Sequence, residues 1–527
     1  MARVELYDTT LRDGTQQEGI SVSVEDKVRI TQRMDGFGVQ YIEGGWPGSN
    51  PKDAEFFARA KSLKLTNAQL AAFGSTRRAG VAVERDSQVR ALLDAETPVV
   101  TLVGKASELQ VLRILETTLE ENLAMIADTV GYLKKRGRKV FYDAEHFFDG
   151  YKGNADYAVQ CARVAAEAGA DCVVLCDTNG GALPDEVESI VRDVLGRVDV
   201  PLGIHTHNDA DTAVASTLAA VRAGAVQVQG TVNGYGERCG NANLLSIVAD
   251  LQIKMGIRCV SDEQLRSLTE VAHFVSELVN LPPHNQQPYV GASAFAHKGG
   301  LHAAAVLKLP ESYQHIVPEQ VGNTNNIVVS ELSGRGNIQH RLNELGIKVT
   351  PEQVRDLVDM VKQQESKGYQ YEGAEASFEL LARRKLPGYR QPFVLEDFRV
   401  SVERHHRPAV SSNEDTFAEA TVKVQVAGES FHTAAEGNGP VNALDAALRK
   451  ALVQFFPDLS RVRLTDYKVR VVDQGSGTGA TVRVLIESTD GTNVWRTVGA
   501  SANVIEASWL ALRDALEWWL VRQGARS

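Results

Sequence analysis

Short apolar runs rich in β-branched residues recur through the first half of the chain, each followed by a longer stretch with apolar positions every three or four residues. The runs are Val4–Tyr7, Tyr41–Ile42, Leu70–Phe73, Val99–Val103, Val140–Tyr142, Cys172–Leu175, Pro201–Ile204 and Val226–Val228. Between them Glu25–Met34, Leu119–Lys134, Ala155–Ala168, Pro184–Val194 and Asp211–Ala223 read as amphipathic helices. Strands that are apolar along their whole length and alternate with helices belong to a parallel sheet covered on its outer face. Eight such units predict a closed (β/α)₈ barrel, an α/β TIM barrel, over residues 1–275. No strand–GxGxxG–helix unit occurs, which argues against an open dinucleotide-binding sheet.

Beyond the barrel the pattern changes. Residues 276–390 lack strand periodicity and read as helical linker subdomains, with helices at Pro351–Lys367 and Ala374–Arg384 and an interdomain linker at Lys385–Pro392. Residues 391–527 contain a duplication. Thr433, Ala443, Leu448, Arg449, Ala451 and Leu452 return as Thr497, Ala507, Leu512, Arg513, Ala515 and Leu516 at one constant offset. Each copy places alternating strands (Ala420–Val426; Ala480–Ile486) before one helix (Val441–Phe455; Val504–Val521), so this end is a pseudo-symmetric α/β domain.

A chain of 527 residues is too long for one core and fits two or three domains. Its 43% hydrophobic and 23% charged content is that of an ordinary globular protein. A net charge of −11 argues against nucleic acid or an anionic membrane surface as partner. An anionic substrate then needs a local cation, a metal or an arginine. The five cysteines are odd in number and confined to one half, which fits reduced thiols rather than a disulfide framework. No apolar stretch reaches bilayer-spanning length, and the chain opens directly on a strand, so a cytoplasmic location is expected.

Polar residues collect where the apolar runs end: Arg12 and Asp13, Glu43, Glu145, Asp177 and Thr178, His205 and His207, and Glu237 to Asn241. Caps and turns account for one or two such positions, not for charged groups at most of them. In a TIM barrel this is the face that carries the active site. His205 and His207 alternate along a strand and therefore project on one side. With Asp13, and Asn241 to complete the shell, they form a mixed nitrogen and oxygen ligand set for a divalent cation, for which Mg²⁺, Mn²⁺, Co²⁺ and Zn²⁺ are all suitable. Such a site suits chelation of a 2-oxo acid. Arg12 is placed to stabilise a developing oxyanion, and Thr178 to donate to the substrate carboxylate. Glu43 reads either as the group that positions Arg12 or as a participant in the chemistry, and a structural ion pair is the alternative for both. Glu145 and His302 are candidate bases, with Tyr313 as a hydrogen-bonding helper; a lone histidine in a turn is ordinarily a surface or core residue, and His302 stands out only through the resemblance that follows.

Asp8-Thr-Thr-Leu-Arg-Asp-Gly-Thr-Gln-Gln17, Glu43, His205-Thr-His207-Asn-Asp209 and Gly234-Tyr-Gly-Glu-Arg-Cys-Gly-Asn-Ala242 resemble the DRE-TIM metallolyase superfamily. Gly300-Leu-His302 and Glu311-Ser-Tyr313 are similar to the segment that carries the catalytic histidine and tyrosine in its Claisen-condensing branch, the 2-isopropylmalate, homocitrate and citramalate synthases. That resemblance implies a homodimer or higher homo-oligomer in which this segment serves the neighbouring subunit. It also implies that residues 391–527 are a regulatory domain binding an end-product amino acid. Glu145-His-Phe-Phe-Asp-Gly-Tyr151 and Leu102-Val-Gly-Lys105 are similar to the long-chain citramalate synthase group. The activity then implied is condensation of acetyl-CoA with pyruvate in isoleucine biosynthesis, with isoleucine as feedback ligand. The motifs leave open a 2-oxoisovalerate acceptor, as in 2-isopropylmalate synthase, and give no residues for coenzyme A. A lyase and a catalytically silent amino-acid sensor are the more distant readings.

Overall fold

All eight apolar runs form strands, and hydrogen bonding joins them in chain order into one closed parallel barrel. The structure, a computed structural model, describes residues 4–327, 329–330, 334–404, 416–472 and 477–524. The strands are β1 (Glu5–Asp8), β2 (Tyr41–Gly45), β3 (Gln69–Ser75), β4 (Val99–Lys105), β5 (Lys139–Glu145), β6 (Cys172–Asp177), β7 (Leu202–Thr206) and β8 (Gln227–Gly230). Closure comes from β1 against β8, with Leu6 opposite Val228 and Tyr7 opposite Gln229. Several strands run past the end of their apolar run. In β4 and β5 the ladder continues to Lys105 opposite Glu145, where the two side chains form an ion pair across the strands.

Alternation within each strand separates two cores. Leu6, Ile42, Val100, Val140, Val173 and Ile204 face outward into the helical layer. Tyr7, Tyr41, Ala71, Val99, Phe141, Cys172 and Val174 fill the barrel interior, where Tyr41 meets Phe141 edge-on at 5.0 Å. Because the interior is packed, ligands have room only at the mouth. All five cysteines are free thiols, and Cys172 and Cys176 belong to this interior cluster. Among the described residues no helix is long and apolar enough to cross a membrane.

Contacts divide the chain into two units, residues 1–295 with 315–325, and residues 296–314 with 326–527. In the second unit each copy of the duplication is a three-stranded antiparallel sheet followed by a helix. The first is Val394–Arg404, Thr416–Val426 and Glu429–Gly437 with helix Pro440–Leu452. The second is Arg463–Val471, Val482–Thr489 and Val494–Ser501 with helix Val504–Arg522. The repeat extends to single hydrogen bonds. Thr433 Oγ1 donates to the carbonyl of Ala447 at 2.9 Å, and Thr497 Oγ1 to that of Ala511 at 2.8 Å.

Lys385–Pro392, expected as an interdomain linker, is fastened to the last helix. Glu517, fully buried, accepts from Arg384 Nη2 (2.7 Å), Tyr389 Oη (2.5 Å) and Gln391 Nε2 (2.9 Å). A buried carboxylate must find such donors, and two of the three come from this segment, which draws it against the helix. Helix Glu375–Arg383 joins the same assembly through Ser377 and Asp514 (2.8 Å) and through Glu379 and Trp518 (2.7 Å).

Candidate active site

The strand ends bring Asp13, His205 and His207 together at the mouth of the barrel. His205 Nε2 lies 3.2 Å from Asp13 Oδ2 and 3.2 Å from His207 Nε2, and His207 Nε2 lies 3.9 Å from the same carboxylate oxygen. All three residues are buried, and one ligand atom of each falls within 4.8 Å of the others. Asn241 pairs with His207 through an isolated bridge between the backbones. Its Nδ2 donates to the carbonyl of Tyr235 (3.2 Å), while its buried Oδ1 has no partner. Two imidazoles and a carboxylate within reach of one another, with a buried amide oxygen left without a donor on the residue bridged to His207, are a donor set that fits a divalent cation. The tight turn before Asn241 depends on glycine. Gly240 has φ +92°, and a Cβ there would stand 2.1 Å from the carbonyl oxygen of Gly234.

Electrostatics match that ligand set. Burial alone would raise the carboxyl of Asp13, but Arg12 and the two histidines outweigh it and hold the group well below the usual range. Burial and His205 push His207 down to about 3, leaving it neutral. His205 is moved the other way, because the hydrogen bond and charge of Asp13 outweigh burial. Its Nδ1 lies 2.9 Å from Gln229 Oε1, and Gln229 Nε2 donates to Asp143 Oδ1 at 3.1 Å. Burial, then the charge of Glu43, pushes the Asp143 carboxyl up to about 7.

Arg12 is held on three sides. Its Nε donates to Glu43 Oε1 at 2.7 Å, its Nη1 lies 3.2 Å from Asp13, and its guanidinium stacks 3.9 Å over Phe73. Glu43 is fully buried and also accepts from Tyr7 Oη at 2.6 Å. Behind it, the turn after β2 is pinned by buried Lys27, which donates to the Gly44 carbonyl (2.9 Å) and pairs with Asp53, while Asp53 accepts from Trp46 N. Glu43 has no free face toward a substrate and acts on this geometry as the orienting partner of Arg12.

Arg12, Asp13, Phe73, Asp143, His205 and His207 line a cavity of about 650 Å³ that also exposes Glu145, Thr178 and Arg238. The Thr178 hydroxyl accepts from the backbone N–H of His146 at 2.9 Å, so its own proton is left to donate elsewhere. Glu145 is ion-paired with Lys105. Arg238 donates to both oxygens of Asp209 (2.8 and 3.0 Å) and to the carbonyl of Thr178 (2.8 Å), and its Nη2 lies 3.1 Å from His207 Nδ1. His302 and Tyr313 are not part of this unit. They lie in the segment 296–314 of the second unit, both exposed, with their rings stacked 4.3 Å apart.

The HMGL-like family matches over residues 3–275, the homocitrate synthase post-HMGL domain-like family over 289–368, and the LeuA allosteric (dimerisation) domain over 348–520. An (R)-citramalate synthase of Aquifex aeolicus is 53% identical across 99% of this chain and 98% of its own length. The chain belongs to the (R)-citramalate synthase family. A second member, from Streptomyces coelicolor, is 52% identical across 98% of this chain and 97% of its own. A probable 2-isopropylmalate synthase of Methanopyrus kandleri stands further off at 35% over 96% of each chain. Within the citramalate synthase fold described here, Phe73, Lys105, Asp143, Arg238 and Gln229 surround the candidate ligands without having stood out as site residues in the sequence. For Lys105, Asp143 and Arg238 the signal was their place at strand ends. Gln229 and Phe73 gave none.

Proposed function

We propose that this chain condenses acetyl-CoA with pyruvate and hydrolyses the resulting thioester, releasing (R)-citramalate and free CoA. The observation that carries the reading is the pairing of a buried Asp13–His205–His207 cluster with the oriented guanidinium of Arg12 in one cavity. A divalent cation held by these three residues, with Asn241 Oδ1, would supply Lewis-acid polarisation of a 2-oxo acid. Arg12 stabilises the oxyanion that forms as the ketone is attacked, and Thr178 donates to the substrate carboxylate. His302 removes a proton from the acetyl methyl group, and Tyr313, stacked on it, orients the ring. Glu145 and Lys105 form the charged wall beside Thr178.

On this reading residues 1–275 are the catalytic barrel, 276–390 carry the base, and 391–527 are the regulatory domain, with isoleucine as its ligand. The active species is a homodimer or a larger assembly, which the exposed Leu301 (78%) and Leu309 (57%) flanking His302 support. A free-thiol assay with acetyl-CoA and a panel of 2-oxo acids tests the proposal. Pyruvate is expected to be preferred, with isoleucine lowering the rate. Faster turnover of 2-oxoisovalerate would replace this reading with a 2-isopropylmalate synthase, and no thiol release with any acid would overturn both.

A further inference from the structure

Gln229 sits at the end of β8, completely buried, and neither end of its amide touches the cavity's candidate cation ligands other than His205. Its surroundings form a chain with one direction. The amide nitrogen of Gln229 donates to Asp143 Oδ1 at 3.1 Å, which fixes which way the amide faces. The amide oxygen is thereby turned to His205 Nδ1, 2.9 Å away, and that nitrogen must carry the proton. A cation binds the neutral imidazole, which has one protonated nitrogen, and with the proton held on Nδ1 it is Nε2 that offers a lone pair. It is Nε2 that faces Asp13 and His207.

We infer that Gln229 and Asp143 are positioning residues that lock His205 in the metal-ligating tautomer. Neither touches substrate. Both act through His205, and the inference rests on the reading of Asp13, His205 and His207 as cation ligands. Partners of this kind set ligand orientation and basicity, and their loss lowers metal affinity by about 10–100-fold. The pair comes from strands far apart in sequence, which places the control of the ligand in the closure of the barrel itself.

The test is equilibrium binding of Mn²⁺ and Co²⁺ to the full-length metal-free chain at pH 8, read by calorimetry and by the visible spectrum of bound Co²⁺. Gln229→Leu is expected to weaken binding about 10–100-fold and to alter the Co²⁺ spectrum. In Gln229→Glu the new carboxyl can share one proton with Asp143 and still accept from Nδ1, so affinity should stay within a few-fold of wild type. Asp143→Ala leaves the amide free to turn and should fall between the two, which keeps the test open if Gln229→Leu does not fold. Failure of the wild-type chain to bind either ion would overturn the cation reading itself. Wild-type binding with equal affinity in Gln229→Leu would overturn the positioning role alone. So would a Gln229→Glu variant as weak as Gln229→Leu, since that marks a packing effect rather than a hydrogen-bonding one.

Discussion

The barrel mouth and the segment 296–314 hold their functional side chains in opposite ways. At the mouth Asp13, Glu43, His205 and His207 are buried, Arg12 is nearly so, and the groups are tied to one another: Arg12 to Glu43, Asp13 and Phe73, and His205 to Asp13 and Gln229. In the segment His302 is exposed, and its described ring contact is the stack on Tyr313. A rigid, over-determined site suits the part of a reaction that must stabilise charge, because preorganised groups cost nothing to reorganise as charge develops. A base on an exposed helix suits a part delivered from elsewhere. The difference predicts that substitutions at the mouth disturb binding and folding together with turnover, and that substitutions in the segment disturb turnover alone.

The largest effect is expected from Asp13→Ala, which removes the only anionic member of the ligand cluster. Bound metal and thiol release should both fall to background, measured by metal analysis of the dialysed protein and by the thiol assay. Metal retained at wild-type affinity would break the assignment of Asp13.

Next comes His302→Ala. Loss of a general base is expected to lower turnover by about 10²–10⁴-fold. Metal affinity should not move. If the segment serves a neighbouring subunit, co-expressing His302→Ala with Arg12→Ala should rebuild one intact site in each mixed dimer. Random pairing of two subunit types then gives about a quarter of wild-type activity. Mixed dimers with no activity would show that both groups act within one chain.

A third contrast is in stability. Glu43→Ala leaves the Arg12 guanidinium buried without its main partner and should cost about 3–5 kcal/mol by urea unfolding of the metal-free chain. His302→Ala, on an exposed surface, should stay within about 0.5 kcal/mol of wild type. Equal costs would erase the distinction between the two regions.

How far the sequence carries this picture follows from the same distinction. The eight strands were legible because a buried parallel strand reads as an apolar run, and His205 and His207 because their alternation puts both on one side. Asp13 and Arg12 were visible as charges following β1. The Gln229–Asp143 contact was not, since its partners are 86 residues apart and only the closed register of the barrel brings them face to face. The ion pair between Lys105 and Glu145 was hidden for the same reason, although each residue was in view. Lys385–Pro392 is legible as a turn-rich segment from its glycine and prolines, but its attachment to buried Glu517, more than a hundred residues away, is not. Local pattern reveals elements; partners of buried polar groups emerge only with the fold.

The mouth also carries a pH dependence of its own. Asp8, completely buried at the end of β1, accepts from the backbone and hydroxyl of Thr10, whose oxygen in turn accepts from Val232 N at 2.8 Å. Burial pushes its carboxyl up to about 7 despite those bonds. A raised folded value means that the native state holds the proton more tightly than the unfolded chain does. The stabilisation is therefore full below the ordinary carboxylate value near ~4 and is lost as pH rises toward 7. Asp8→Asn should remove that slope, so the urea midpoint of the metal-free variant should fall less than that of wild type between pH 5 and 7. The corresponding free-energy difference is of order 2 kcal/mol. Parallel curves for the two proteins would show that Asp8 is ionised throughout.

The smallest effect separates two jobs that Tyr313 can do for His302. The rings stack at 4.3 Å with 25° between their planes, an arrangement that needs only the aromatic face. Tyr313→Phe keeps that face and removes the hydroxyl. If the phenol hydrogen-bonds in the transition state, turnover should drop about tenfold, the equivalent of roughly 1.4 kcal/mol, with KM for pyruvate unchanged. Tyr313→Ala should fall further, toward the level of His302→Ala, because the imidazole then loses the surface that orients it. A Phe variant as active as wild type beside a weak Ala variant would assign Tyr313 to orientation alone. Full activity in both would leave His302 to find its geometry on docking.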